Sequence, residues 1–192
     1  MNALAAALLA TTLAAGSDDE VIARLHVQVD ARDLYVSSCR DVFAHDPEAG
    51  LATIGFRYQV AGARRLATGE YGGTVVFGLG DIVVEVPGVI AWPRMSTADR
   101  HRAEALRSAI VHHEIGHVRI AEAVRDALNV HAPIVAPDPF AFRADADAVG
   151  RAGFERFKRE ERDYDALVDH GRRQHVAPGD LAGTDTILRC SD

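Results

Sequence analysis

The sequence predicts an α+β fold: a mostly antiparallel N-terminal sheet packed on a long helix, with a second helix toward the C-terminus. Three observations carry this. β-rich runs bounded by Gly and Pro fill the first half, chiefly residues 54–60 and 74–86. No Pro occurs between Pro93 and Pro133, and apolar residues recur there with helical period. A second helical pattern begins at Pro139.

The chain opens MNALAAALLATTLAAGSDDE. Its uncharged Ala/Leu run, then small residues, then acids resemble the apolar region of an export signal cleaved near Ala14, Ala15 or Gly16. No basic residue precedes the run. We expect a signal peptide over 1–16, one domain over 17–192, and a secreted or periplasmic protein. The run is too short to cross a membrane, and no other segment could. Residues 21–29 alternate as Val21, Ala23, Leu25, Val27, Val29 and predict a strand; residues 34–37 are a short β-rich run. Residues 54–60 alternate cleanly. Residues 74–77 and 82–86 predict an antiparallel hairpin turning at Gly78 to Gly80. Ser96, Thr97, Ala98 and Asp99 resemble a capping box with Asp in place of Glu, so the long helix should run from about 97 to 129. Residues 131–139 hold three Pro and predict a loop. The second helix should run from 139 to about 169, with Phe142, Ala146, Val149, Gly153, Phe157, Tyr164 and Val168 on one face. The tail after residue 176 is expected to be irregular.

A length of 192 residues, with 48 % apolar and 26 % charged content, fits one domain with a core and no disorder. The net charge of −7 argues against nucleic acid or an anionic membrane as partner. Cys39 and Cys190 fit no metal knuckle. In an exported chain they can form one disulfide; in a reducing compartment they stay free.

The chemistry concentrates at His113-Glu114-Ile115-Gly116-His117, the H-E-x-x-H spacing with which a helix offers two imidazoles to one zinc ion. Leu106, Ile110, His113, His117, Ile120, Val124 and Leu128 follow at steps of three and four, so both His interrupt the apolar stripe and point inward. Glu114 stands one step round, where its carboxylate can reach a water on the metal. A buried His pair satisfied by hydrogen bonds is the bland alternative. Catalytic zinc takes three protein ligands and a water. Ala123 occupies the position where the longer motif has a third His. Glu122 and Asp126 rotate away from the ligand face. Asp145 and Asp147 could supply a carboxylate, although acids near a helix start also serve its dipole. His170 could fold back onto the first helix.

HHEIGH at 112–117 in a long helix, followed by Tyr164-Asp165, His170-Gly171 and Gln174, resembles the DUF922 family, bacterial proteins predicted to be secreted zinc-dependent proteases. The β-rich half leading through Val84-Glu85-Val86-Pro87 and Trp92-Pro93 into the helix is similar too. The chain has Val168 where a Thr is expected. The resemblance implies a zincin-like fold, with His113 and His117 as zinc ligands and Glu114 catalytic. The matching H-G pair makes His170 the expected third ligand.

On this reading the chain is a zinc-dependent peptidase acting on a peptide or protein. Glu114 takes the proton of the attacking water and returns it to the leaving amine. Tyr164 is the candidate second donor to the oxyanion, or else a core aromatic. Asp165 could hold a ligand His through its distal nitrogen. His112 points about 100° away from His113 and is not expected to ligate. Residues 82–86 could be the sheet edge that pairs with an extended substrate. Two rivals are a noncatalytic zinc-binding module of the cell envelope and a zinc hydrolase of a non-peptide amide.

Overall fold

A computed structural model describes residues 16–33, 50–88, 97–130 and 133–168. The order is helix α1 (Asp18–Leu25), strands β1 (Gln28–Asp33), β2 (Leu51–Arg65) and β3 (Tyr71–Gly88), helix α2 (Thr97–Asn129), strand β4 (Ile134–Ala136) and helix α3 (Pro139–Val168). The fold is α+β. Apart from Gly16 the expected leader lies outside the described residues, as do residues 34–37, Ser96, Cys39, Cys190 and the tail. Among the described residues, no helix is long and apolar enough to cross a membrane.

Three strand expectations are corrected. Residues 18–25 are helical. Ser17-Asp18-Asp19-Glu20 forms a capping box, with the Ser17 hydroxyl accepting from the Glu20 amide and the Glu20 carboxylate from the Ser17 amide. Three acids in the first turn favour the helix dipole. The alternation at 21–29 therefore loses to a start signal four residues upstream.

The expected hairpin at Gly78 to Gly80 is instead one continuous strand of 18 residues, β3. Its partner in the real hairpin is β2, joined through residues 66–70. The glycines mark a β-bulge: Ile54 pairs with Ile82 and Phe56 with Leu79, so Gly80 and Asp81 together oppose Gly55. The backbones approach closely there, and a Cβ on Gly80 would sit 3.2 Å from the Gly55 carbonyl oxygen. The extra residue inverts the alternation. Val75 and Phe77 face the helices before the bulge; Ile82, Val84 and Val86 face them after it.

The sheet is mixed, and mostly antiparallel as expected. β1 runs parallel to β3, and β2 and β4 run antiparallel to it. β3 is central, so residues 82–86 have β2 on one edge and β1 on the other. They cannot pair with a substrate, which corrects the expected substrate edge. Residues 134–136, expected in a loop, form the short strand β4 against Tyr71 to Gly73. Between β4 and β1 the Asn129 side chain takes the strand's place, accepting from the Phe77 amide at 2.8 Å and donating to its carbonyl at 3.0 Å.

Both long helices match their expected spans and cover one face of the sheet. α2 is buried on two sides. Ile115 and Val118 pack with Val21, Ile82, Val84 and Val86. Ile120, Val124 and Leu128 pack with Phe77, Ala146, Phe157 and Tyr164. Phe157 stacks on Phe56 at 4.7 Å between ring centroids and joins α3 to β2. Asn129→Ala should leave the Phe77 amide and carbonyl without this partner and lower stability by about 1–3 kcal/mol. Urea unfolding of the variant beside wild type measures it.

Candidate metal centre

His113 and His117 lie one turn apart in α2, both buried. Their Nε2 atoms are 3.3 Å apart. The Asp165 carboxylate, from the last turn of α3, closes a triangle: its Oδ1 is 3.3 Å from His113 Nε2 and 3.0 Å from His117 Nε2. Side-chain exposure is 10 % and 11 % for the histidines and 26 % for Asp165, so the triangle opens to solvent on the Asp165 side. A tetrahedral ion with bonds of about 2.1 Å holds its ligand atoms roughly 3.4 Å apart. The three edges fit that size, and all three residue types are zinc ligands.

Two contacts hold α3 in place here. Tyr164 is buried, stacks on His113 at 5.2 Å and meets His117 edge-on at 5.1 Å. Its hydroxyl lies directly over Gly116, where any Cβ would overlap it, and donates to the His113 carbonyl oxygen at 3.4 Å. The glycine inside the motif is thus the seat of the tyrosine, and Asp165 follows it in sequence to the imidazoles. Glu114 is buried beside the pair. Gly50, just before β2, packs so closely that a Cβ there would overlap the Glu114 carboxylate and Ile110.

Burial pushes the His117 imidazolium down to about 4, with neighbouring His113 acting the same way and Asp165 opposing it. His117 Nδ1 is buried and finds no hydrogen-bond partner among the described residues. The imidazole is therefore neutral near pH 7, as metal ligation requires.

His170 lies outside the described residues. Among those described, only His113, His117 and Asp165 cluster as a metal-ligating group. Asp165 meets the Nε2 atoms, the same nitrogens that face the centre of the triangle. Asp145 and Asp147 sit near the start of α3, five turns from Asp165, and Asp147 accepts the Tyr58 hydroxyl at 3.2 Å. His112 turns away and pairs with Asp18 at 2.7 Å. Asp18 also meets Arg119 at 2.9 Å, and Arg119 donates to the Gly16 carbonyl. Farther along, Arg24 pairs with Glu122, which holds the Glu122 carboxyl below its usual range. These contacts fasten α1 to the metal-site helix. Sequence reasoning missed Asp18 and Gly50. The capping box would have placed the first at a helix start; no local signal marks the second.

Gly116→Ala should displace Tyr164, cost about 1–3 kcal/mol and part Asp165 from the imidazoles. Urea unfolding and zinc titration together detect both. In metal-free protein, stability should fall as pH drops from 6.5 toward 4. Over that window the unfolded chain binds a proton at His117 that the native chain does not. Urea midpoints across this range should flatten in His117→Leu; an unchanged slope would mean that the imidazole is not held neutral.

No curated protein and no solved structure matches the chain. A family model described as "Bacterial protein of unknown function (DUF922)" matches residues 52–171, from the start of β2 past the end of α3. The match covers more than half of the chain, including the whole H-E-x-x-H segment, Tyr164, Asp165 and His170: the chain belongs to the DUF922 family.

Proposed function

We propose that the chain is a zinc-dependent peptidase of zincin-like type, exported from the cell. The observation that carries this is the triangle of His113, His117 and Asp165, whose edges suit one tetrahedral ion. A zinc ion held there would acidify a water and polarise a scissile carbonyl. Two imidazoles and one carboxylate leave such a site with net charge +1, against +2 for the three-His set with His170. Both sets leave a fourth position open.

The chain's own residues supply the rest. Glu114, buried against Gly50, takes the proton of the attacking water and passes it to the leaving amine. Tyr164 fixes the plane of His113 by stacking. Its hydroxyl, 3.4 Å from the His113 carbonyl oxygen, is the candidate second donor to the oxyanion. A buried Glu beside the histidines favours an enzyme over a purely structural zinc module, which has no use for it.

Elemental analysis of purified protein offered zinc tests the metal. Wild type and His170→Ala should hold one zinc per chain, and Asp165→Ala should lose it. Zinc kept in Asp165→Ala but lost in His170→Ala would move the third ligand to His170. No zinc in any of them would overturn the reading and leave Asp165 as the acceptor of two imidazole N–H groups. Given zinc, Glu114→Gln should keep the metal and lower kcat for peptide hydrolysis by about 10²–10⁴. Tyr164→Phe should lower kcat with zinc content unchanged if the hydroxyl serves the oxyanion.

A further inference from the structure

Asp18 reaches α2 on both flanks of the histidine motif. It stands first in α1, where the capping box of Ser17 and Glu20 fixes its backbone. Its Oδ2 accepts from His112 Nδ1 at 2.7 Å, and its Oδ1 from Arg119 Nη2 at 2.9 Å. The same Arg119 nitrogen donates to the Gly16 carbonyl oxygen at 2.9 Å, and the Arg119 side chain is only 7 % exposed. One carboxylate thus grips α2 at the residue before His113 and at the second residue after His117. The grip has a firm base. One turn along α1, Val21 is fully buried and shares a core with Val84 and Val86 of the sheet and with Ile115 and Val118 of α2. β1 then carries the chain into the sheet beside β3.

The spacing gives this grip a direction. His112 and Arg119 are seven residues apart, two turns less about 20°, so they leave α2 on one side. At about 100° per residue, His113 and His117 leave it roughly 100° and 140° round from His112. The clamp therefore acts about a third of a turn from the ligands and brackets them along the axis. Contacts placed in this way oppose rotation of the helix about its own axis. Tyr164 acts differently, because a ring resting on a glycine limits how closely two helices approach and holds rotation weakly. An imidazole nitrogen stands roughly 6 Å from the axis, so a rotation of about 10° carries it about 1 Å. A metal site tolerates only about 0.2 Å in its ligand distances. Asp165 belongs to α3 and does not follow a rotation of α2.

We propose that Asp18 is a positioning residue for the metal centre. Through His112 and Arg119 it sets the rotation of α2 at which both imidazoles meet the third ligand. Asp18 lies outside residues 52–171, which the family model matches, so this chain adds the clamp to the family's segment. The proposal rests on the metal centre, and on the peptidase reading only for its effect on rate.

The probes are two metal ions offered to the full chain. Cobalt(II) reports the geometry of its ligands through its visible absorption, and competition with a chromogenic chelator measures zinc affinity. Asp18→Ala should bind zinc about tenfold more weakly than wild type and shift the cobalt spectrum. Asp18→Asn keeps the shape and one acceptor oxygen, so it should fall between the two; it carries the comparison alone if Asp18→Ala does not fold. Arg24→Ala breaks the other charged tie between α1 and α2, to Glu122, and should leave affinity and spectrum as in wild type. Wild-type affinity and spectrum in both Asp18 variants would overturn the proposal. An equal change in Arg24→Ala would overturn it too, by making α1 a general support. No metal bound by wild type would remove the clamp together with the metal centre. A shifted spectrum with no peptide hydrolysis by wild type would keep the clamp and remove the peptidase. Where wild type does hydrolyse peptides, Asp18→Ala should lower kcat by about 10–100-fold with KM unchanged. Equal hydrolysis and equal spectra in wild type and both Asp18 variants would keep the peptidase and remove the clamp.

Discussion

The contact between Tyr164 and the backbone at Gly116 is the constraint on which the site depends. Two helices meeting through ordinary side chains keep their axes 8–10 Å apart. Here one helix lacks a Cβ at the crossing, so the tyrosine ring settles onto the backbone between the two histidines. The next residue of α3 is then within 3.0–3.3 Å of both imidazoles. Neither histidine nor aspartate would choose this geometry alone, because it gathers a carboxylate and two imidazoles in a largely buried place. Phe157, stacked on Phe56, and the core under Val124 and Leu128 supply the apolar packing that holds the crossing in place.

The two long helices were legible in the sequence because each carries a long periodic pattern without an internal proline. The histidine pair was legible because its spacing is local. Other features resisted reading for identifiable reasons. The run at 21–29 satisfies a strand alternation over a few residues, and only Ser17 and Glu20 outside it decide for helix. Gly78 and Gly80 look like a turn, yet glycine in a strand serves equally for a bulge with close backbone approach. Which applies depends on Gly55, twenty-five residues away. Asp165 was visible as a candidate near the histidines, but its meeting with both Nε2 atoms follows from the angle between helices, which no short spacing encodes.

The polar contacts divide the metal-site helix by face. Toward α3 it presents two imidazoles; toward α1 it presents His112, Arg119 and Glu122, each matched by Asp18 or Arg24. The first set gathers at the metal triangle with Asp165; the second is tied to side chains of α1. The contrast fits a division of labour, in which one face fastens the helix and the other is held ready for a ligand.

The parallel pairing of β1 with the far end of β3 has a bearing on how the chain assembles. Gln28 meets Val83, fifty-five residues later, whereas β2 and β3 are joined by a tight turn. A chain emerging N-terminus first must carry α1 and β1 without their strand partner until residue 88 has appeared, and without α2 for longer still. The hairpin can close locally meanwhile. The N-terminal segment is then a late-docking piece, whose arrival completes the sheet and the charged fastening of the metal-site helix in a single step. Contacts so distant in sequence slow folding and leave an unpaired strand exposed during it. The three acids that open α1 place charge beside that strand in the interval, and so oppose its pairing with another chain.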